Sequence, residues 1–164
     1  MIILAIDPGT THSAYVLYDS DTMYVLDKGK LDNVQLRSKL CRHYNREGAA
    51  WRADEVAIEM IASYGMPVGK DVFETCVWIG RFEEIVFRKC PVHKVYRKDV
   101  KMHLCGTTKA KDGNIRQALI DRFEPSGGGA TPQIGIKSNP GPLYGFAKDM
   151  WAALGVAITY AERG

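Results

Sequence analysis

Ile2 to Ile6 is a short unbroken apolar run, the pattern of a strand buried on both faces, and it stops abruptly at Asp7-Pro8-Gly9. Ser13–Tyr18 and Met23–Leu26 are predicted as the next two strands, with Asp19-Ser20-Asp21 as the turn between them. Val34–Tyr44 spaces Val34, Leu36, Leu40, Cys41 and Tyr44 among basic residues, which predicts a helix, and Glu55–Ile58 predicts a fourth strand with Glu59 at its end. Over Val72–Phe87 the apolar residues fall at mostly helical spacing, yet they exceed one narrow stripe. Val92–Tyr96 follows as a fifth strand, then a short helix over Val100–Leu104 and a better one over Asp112–Phe123. In the latter Ile115, Ala118, Leu119 and Phe123 share a face and Asp112 is available as a cap. Asp149–Tyr160 is apolar almost all round after its first residue, which predicts a helix buried against the sheet.

This order, three strands and then strands alternating with helices, predicts an α/β domain whose mixed sheet starts with a meander and is covered on both faces. Between the last two helices, Glu124–Gly145 holds four of the seven prolines and six of the sixteen glycines. A loop of that length inside a compact domain is expected to be functional or slack.

Composition narrows the classes. The chain has 164 residues, 46% hydrophobic and 25% charged, which is globular usage without a shift that would divide it, so residues 1–164 are read as one domain. The longest apolar runs are too short for a bilayer. No basic region precedes the N-terminal run, which leads straight into Asp7, so no cleaved signal peptide is expected and the predicted location is the cytoplasm. Cys41, Cys76, Cys90 and Cys105 contain no C-x-x-C pair, so reduced, mostly buried thiols are expected rather than a zinc site or a disulfide framework. A net charge of +3 decides little, but Arg97, Lys98, Lys101, Lys109 and Lys111 cluster against the single acid Asp99.

Three acids stand where hydrophobicity alone does not put them: Asp7 ends the first strand, Glu59 the fourth, and Asp149 opens the last helix. Each alone has an ordinary structural reading, as a turn residue or a helix-start acid. Together they suggest more. If strands one and four are parallel neighbours, Asp7 and Glu59 meet at one edge, and carboxylates that close raise one another's pKa unless a cation lies between them. Oxygen ligands of this type suit Mg²⁺ or Mn²⁺. Two such ions roughly 4 Å apart would activate a water and stabilise the leaving oxygen of a phosphodiester. A competing reading takes DPGTT before SAYVLYD as the phosphate-binding hairpin of actin-like ATPases and sugar kinases, and hence the chain as a single-domain nucleotide-binding protein. Those proteins need two such domains, and no second phosphate loop is seen.

IDPGTTHSAY, VAIEM, VYRKDVKMHLCGTTKAKDGNIRQAL and KDMWAALGVAITY, taken in order over nearly the whole chain, resemble the RuvC family of Holliday-junction resolvases, above all its phage-encoded relatives. The resemblance implies a ribonuclease H-like mixed five-stranded sheet flanked by helices. It implies a Mg²⁺- or Mn²⁺-dependent endonuclease that acts as a homodimer on four-way DNA junctions. Asp7, Glu59 and Asp149 would be the catalytic metal ligands, and Lys101, Lys109 and Lys111 would meet DNA phosphates, Lys111 lying one place off the matching position. One departure stands out: resolvases of this family usually carry two ligands three residues apart in the last helix, and here the second place is Ala152. Near it in the chain, Phe146 is no substitute and Glu162 is at the far end of the helix. A junction-binding protein with weakened or lost catalysis is therefore the alternative.

Overall fold

The computed structural model describes residues 1–45 and 51–164. One five-stranded sheet organises them: β1 (Ile2–Asp7), β2 (His12–Asp19), β3 (Tyr24–Asp32), β4 (Glu55–Met60) and β5 (Val92–Tyr96), in the spatial order β3-β2-β1-β4-β5. β1, β2 and β3 form an antiparallel meander, while β4 pairs in parallel with both β1 and β5. α1 (Asn33–Tyr44) connects β3 to the far side of β1, and α2 (Lys70–Val86) makes the crossover from β4 to β5. α3 (Arg97–Cys105), α4 (Asp112–Ile120) and α5 (Met150–Arg163) complete the fold.

The alternation of side chains along β1 sorts the helices between two cores. Leu4 and Ile6 point toward Leu36 and Leu40 of α1 and Ile79, Phe82 and Val86 of α2. Ile3 and Ala5 point the other way, toward Val100 and Leu104 of α3, Ile115 and Leu119 of α4, and α5. α5 runs across the sheet and is buried from Ala153 to Thr159, which is why its sequence is apolar nearly all round.

Several boundaries differ from the sequence reading, each for a physical reason. β3 extends through Asp32 and does not include Met23, which sits in the preceding turn at φ +54°. Edge strands pair on one side only, so β3 tolerates Asp27, Lys28 and Lys30 without burying them fully. Asp27 also has a reason to be there: it accepts hydrogen bonds from Lys39 Nζ (2.6 Å) and Trp51 Nε1 (2.8 Å). α4 starts after Lys111, with Asn114 Oδ1 accepting the Lys111 N–H, so Asp112 is the first helical residue rather than the cap. Of the cysteines only Cys90 is buried; the other three are half-buried.

The segment 124–145 is organised rather than slack. A two-stranded ribbon of β6 (Gly135–Ile136) and β7 (Asn139–Pro140) closes it, and Gly127 N–H, Gly141 N–H and Leu143 N–H donate to Pro132, Ile134 and Gln133 carbonyls. Gly135 has φ +75° and so little room that a Cβ would lie 2.2 Å from Gly141 N, so only glycine fits there. Leu143 anchors the segment in the α5-side core. No helix among the described residues is long and apolar enough to cross a membrane.

Candidate active site

β1 and β4 are parallel and in register from Ile3↔Glu55 to Ile6↔Ile58, so Asp7 and Glu59 stand one step beyond the last pair at the same edge of the sheet. By the period of two, both side chains point to the face that carries α5. The turn after Asp7 is fixed locally. A Cβ on Gly9 would fall 2.3 Å from the His12 carbonyl oxygen, so the chain can fold back so tightly only with glycine. Gly9 N–H donates to Ser13 Oγ (3.1 Å), Ser13 Oγ donates to Asn33 Oδ1 (2.6 Å), and Asn33 Nδ2 donates to the Gly9 carbonyl (2.9 Å). Ser13 and Asn33 are both buried, and a buried polar ring that satisfies itself makes the turn rigid. The Gly9 N–H is therefore committed internally, against its use as a phosphate-cradling donor.

Asp149 reaches the same place from the opposite layer. It precedes the first turn of α5 but its side chain makes no cap hydrogen bond; it is turned instead onto Lys30 Nζ of β3. Its position is thus not accounted for by capping. Lys148, just before it, has φ +48°, which helps bring the chain into the helix at this angle.

Asp7, Glu59, Asp149 and Ala152 line one cleft of about 260 Å³, together with Arg97, Asp112 and Lys148. Asp7 is pushed up to about 8, first by burial and then by the negative charges of Glu59 and Asp149, with Arg97 and Lys30 opposing. Burial also raises Glu59, with Asp112 adding to the effect and Arg97 opposing it. The side chain of Glu59 is only 14% exposed, and its Oε2 has no hydrogen-bond partner. Arg97 Nη1 lies 3.9 Å from that oxygen, too far for a hydrogen bond, while Nη2 pairs with Asp112.

An all-oxygen donor set with a buried, unpartnered carboxylate oxygen fits a hard divalent cation. As they stand, no three Asp, Glu, His or Cys side chains among the described residues converge tightly enough to ligate one ion. Freeing Asp149 for such a role costs little, because the Lys30–Asp149 pair is substantially exposed and such pairs are worth about 1 kcal/mol or less.

The three acids expected to share a site therefore do line one cleft. The lysines do not enter it: Lys101 lines an adjoining hollow with Tyr64, Lys98 and Arg97, and Lys109 and Lys111 are exposed on the approach to α4. Sequence reasoning missed Arg97 and Asp112 as residues of the cleft. The signal was present, since Arg97 directly follows β5 and Asp112 opens a helix, but basic clustering and capping explained each locally.

No protein-family model and no curated protein matches this sequence. Solved structures do. The chain superimposes on Thermus thermophilus RuvC with a TM-score of 0.70 at 16% identity, covering 98% of this chain and 93% of that one. T. thermophilus RuvC in complex with a Holliday junction substrate gives 0.68 at 18% identity, with the same coverage. The yeast mitochondrial Holliday junction resolvase gives 0.55 at 14% identity, covering 97% of this chain and 77% of that one. The fold is accordingly the ribonuclease H-like mixed sheet of the RuvC resolvases.

Proposed function

We propose that this chain is a divalent-metal-dependent, structure-selective DNA endonuclease that resolves four-way junctions in the manner of RuvC. The observation that carries the reading is the meeting of Asp7, Glu59 and Asp149, the first two largely shielded from water and held above the usual carboxylate range by it, at one end of a parallel strand pair in a fold of this kind. An acid pair is costly to bury, so a structure that keeps it there is supported best by a cation that binds between. Asp7, Glu59 and Asp149 would hold Mg²⁺ or Mn²⁺, which when bound supplies Lewis-acid polarisation of the phosphate and a more acidic water.

In hydrolysis a water oxygen forms a new P–O bond, one ester P–O bond breaks, and a proton from the water ends on the leaving oxygen. The chain's own part is to orient and to bind. The rigid Gly9–Ser13–Asn33 turn fixes Asp7, β4 fixes Glu59, and α5 brings Asp149 over them. Lys101, Lys109 and Lys111 would contact flanking phosphates, where each neutralised charge releases counterions. A homodimer would present two such sites to opposed strands, and the exposed Phe73 and Val77 on α2 supply an apolar face for it.

The test is cleavage of a synthetic four-way junction in Mg²⁺ or Mn²⁺, with a linear duplex of the same sequence as control. Paired cuts in the junction that vanish in Asp7→Asn and in Glu59→Gln are expected. The second reading, junction binding without catalysis, is favoured by Ala152 in the cleft and by Lys30 on Asp149. It predicts binding but no cutting by both this chain and Ala152→Asp in every metal.

A further inference from the structure

Arg97 lines the cleft, and the proposed chemistry leaves it unused. Its guanidinium is held at one end by Asp112, from the first turn of α4, while Nη1 is buried, has no hydrogen-bond partner and stands 3.9 Å from Glu59. A buried N–H without an acceptor is costly, and an anionic oxygen that enters the cleft would supply one. Arg97 also forms the wall between the acidic cleft and the hollow that contains Lys98 and Lys101. A phosphodiester crossing from that basic surface to the carboxylates passes this side chain. The planar, permanently charged fork of arginine suits phosphate oxygens.

Charge makes the same point. The cleft and its rim bring together the carboxylates of Asp7, Glu59, Asp112 and Asp149 with the cations Arg97, Lys30 and Lys148. One divalent ion would leave a single positive charge, which one phosphodiester neutralises. Two would leave three, with Ala152 supplying no carboxylate to offset them.

We propose that Arg97 is a catalytic residue that contacts the scissile phosphate and supplies the positive charge otherwise expected of a second metal ion, with Asp112 as its positioning residue. The site then works with one divalent ion, and Arg97 stays protonated while the P–O bonds exchange. This rests on the nuclease reading above.

The experiment measures Mn²⁺ stoichiometry by calorimetry on the whole chain, beside single-turnover junction cleavage and the thermal midpoint of each variant. One Mn²⁺ per chain is expected, rising to two in Ala152→Asp. Arg97→Gln is expected to keep its Mn²⁺ and its fold and to lose about 10²- to 10³-fold in cleavage rate, with Arg97→Lys recovering part. Asp112→Asn should lower the rate with Mn²⁺ stoichiometry unchanged, and Asp112→Glu should restore it. Two Mn²⁺ bound by the unaltered chain, or a folded Arg97→Gln cutting at the unaltered rate while Asp7→Asn is dead, overturns the role of Arg97 and leaves the nuclease reading standing. No cutting and no Mn²⁺ binding by the unaltered chain removes both.

Discussion

Asp7 concentrates the electrostatic cost of the site in one side chain. In the folded, metal-free protein it holds its proton from its ordinary value near 3.8 up to about 8, where an unfolded chain has already released it. The folded state binds the extra proton, so this contribution to stability is full below about 3.8, declines through the window and is gone above about 8. Glu59, also raised, acts with the same sign. In chelator the thermal midpoint should therefore fall between pH 5 and pH 8, and in Asp7→Asn that fall should be clearly shallower; an identical slope would show that Asp7 does not carry the proton. Adding Mn²⁺ at pH 8 should recover the midpoint of the unaltered chain but not of Asp7→Asn. Lys30 offers a second test at this scale. Because it competes for Asp149, Lys30→Ala should bind Mn²⁺ several-fold more tightly in calorimetry, within the range of about 1 kcal/mol or less that an exposed ion pair contributes.

At the scale of elements, the cleft depends on how α5 seats against α3, because one precedes its first turn with Asp149 and the other begins with Arg97. Gly155 makes that seat: a Cβ there would stand 3.2 Å from Val100 Cγ1 and 3.6 Å from Leu104 Cδ1. Alanine asks for a shift of a few tenths of an ångström, and valine for far more. Gly155→Val should cost about 1–3 kcal/mol by overpacking and slow cleavage along with it. The contrast is Gly80 in α2, where a Cβ would meet nothing within 4 Å. Gly80→Ala should raise stability by about 0.5–1 kcal/mol through helix propensity alone, read as a higher midpoint in urea. The helix starts were harder to read from the chain than the helices themselves. Asp112 looks like a cap in one dimension, and only the packing of α4 against α3 brings it to Arg97.

For the whole molecule, binding should be dominated by phosphate charge. Removing Lys101, Lys109 or Lys111 one at a time by alanine should reduce the slope of log affinity against log salt by about 0.9 each for those that touch DNA, measured on a four-way junction. A lysine whose removal leaves the slope unchanged is no contact. The apolar face of α2 belongs to the same scale. Phe73 is 62% exposed and Val77 53%, so the apolar residues that exceeded one stripe in the sequence were not absorbed by a larger core. If they join two chains, Phe73→Asp should shift sedimentation toward a monomer without lowering the thermal midpoint measured at low concentration.

The one-dimensional pattern was sufficient for the layers of this fold. Runs such as Ile2–Ile6 and the apolar length of α5 are buried from both sides, and local hydrophobicity reports that burial directly. It also singled out Asp7, Glu59 and Asp149, which line one cleft, because three acids at the ends of buried elements form a pattern that hydrophobicity alone does not produce. It was insufficient for β3, whose polar half is held by pairing at a sheet edge, and for the compact 124–145 segment, held by backbone hydrogen bonds that no side-chain pattern records. The meeting of Arg97, Asp112 and Ala152 is likewise a tertiary fact. They come from three different helices, and the charges of Arg97 and Asp112 beside an uncharged Ala152 acquire meaning only through the distances that packing sets.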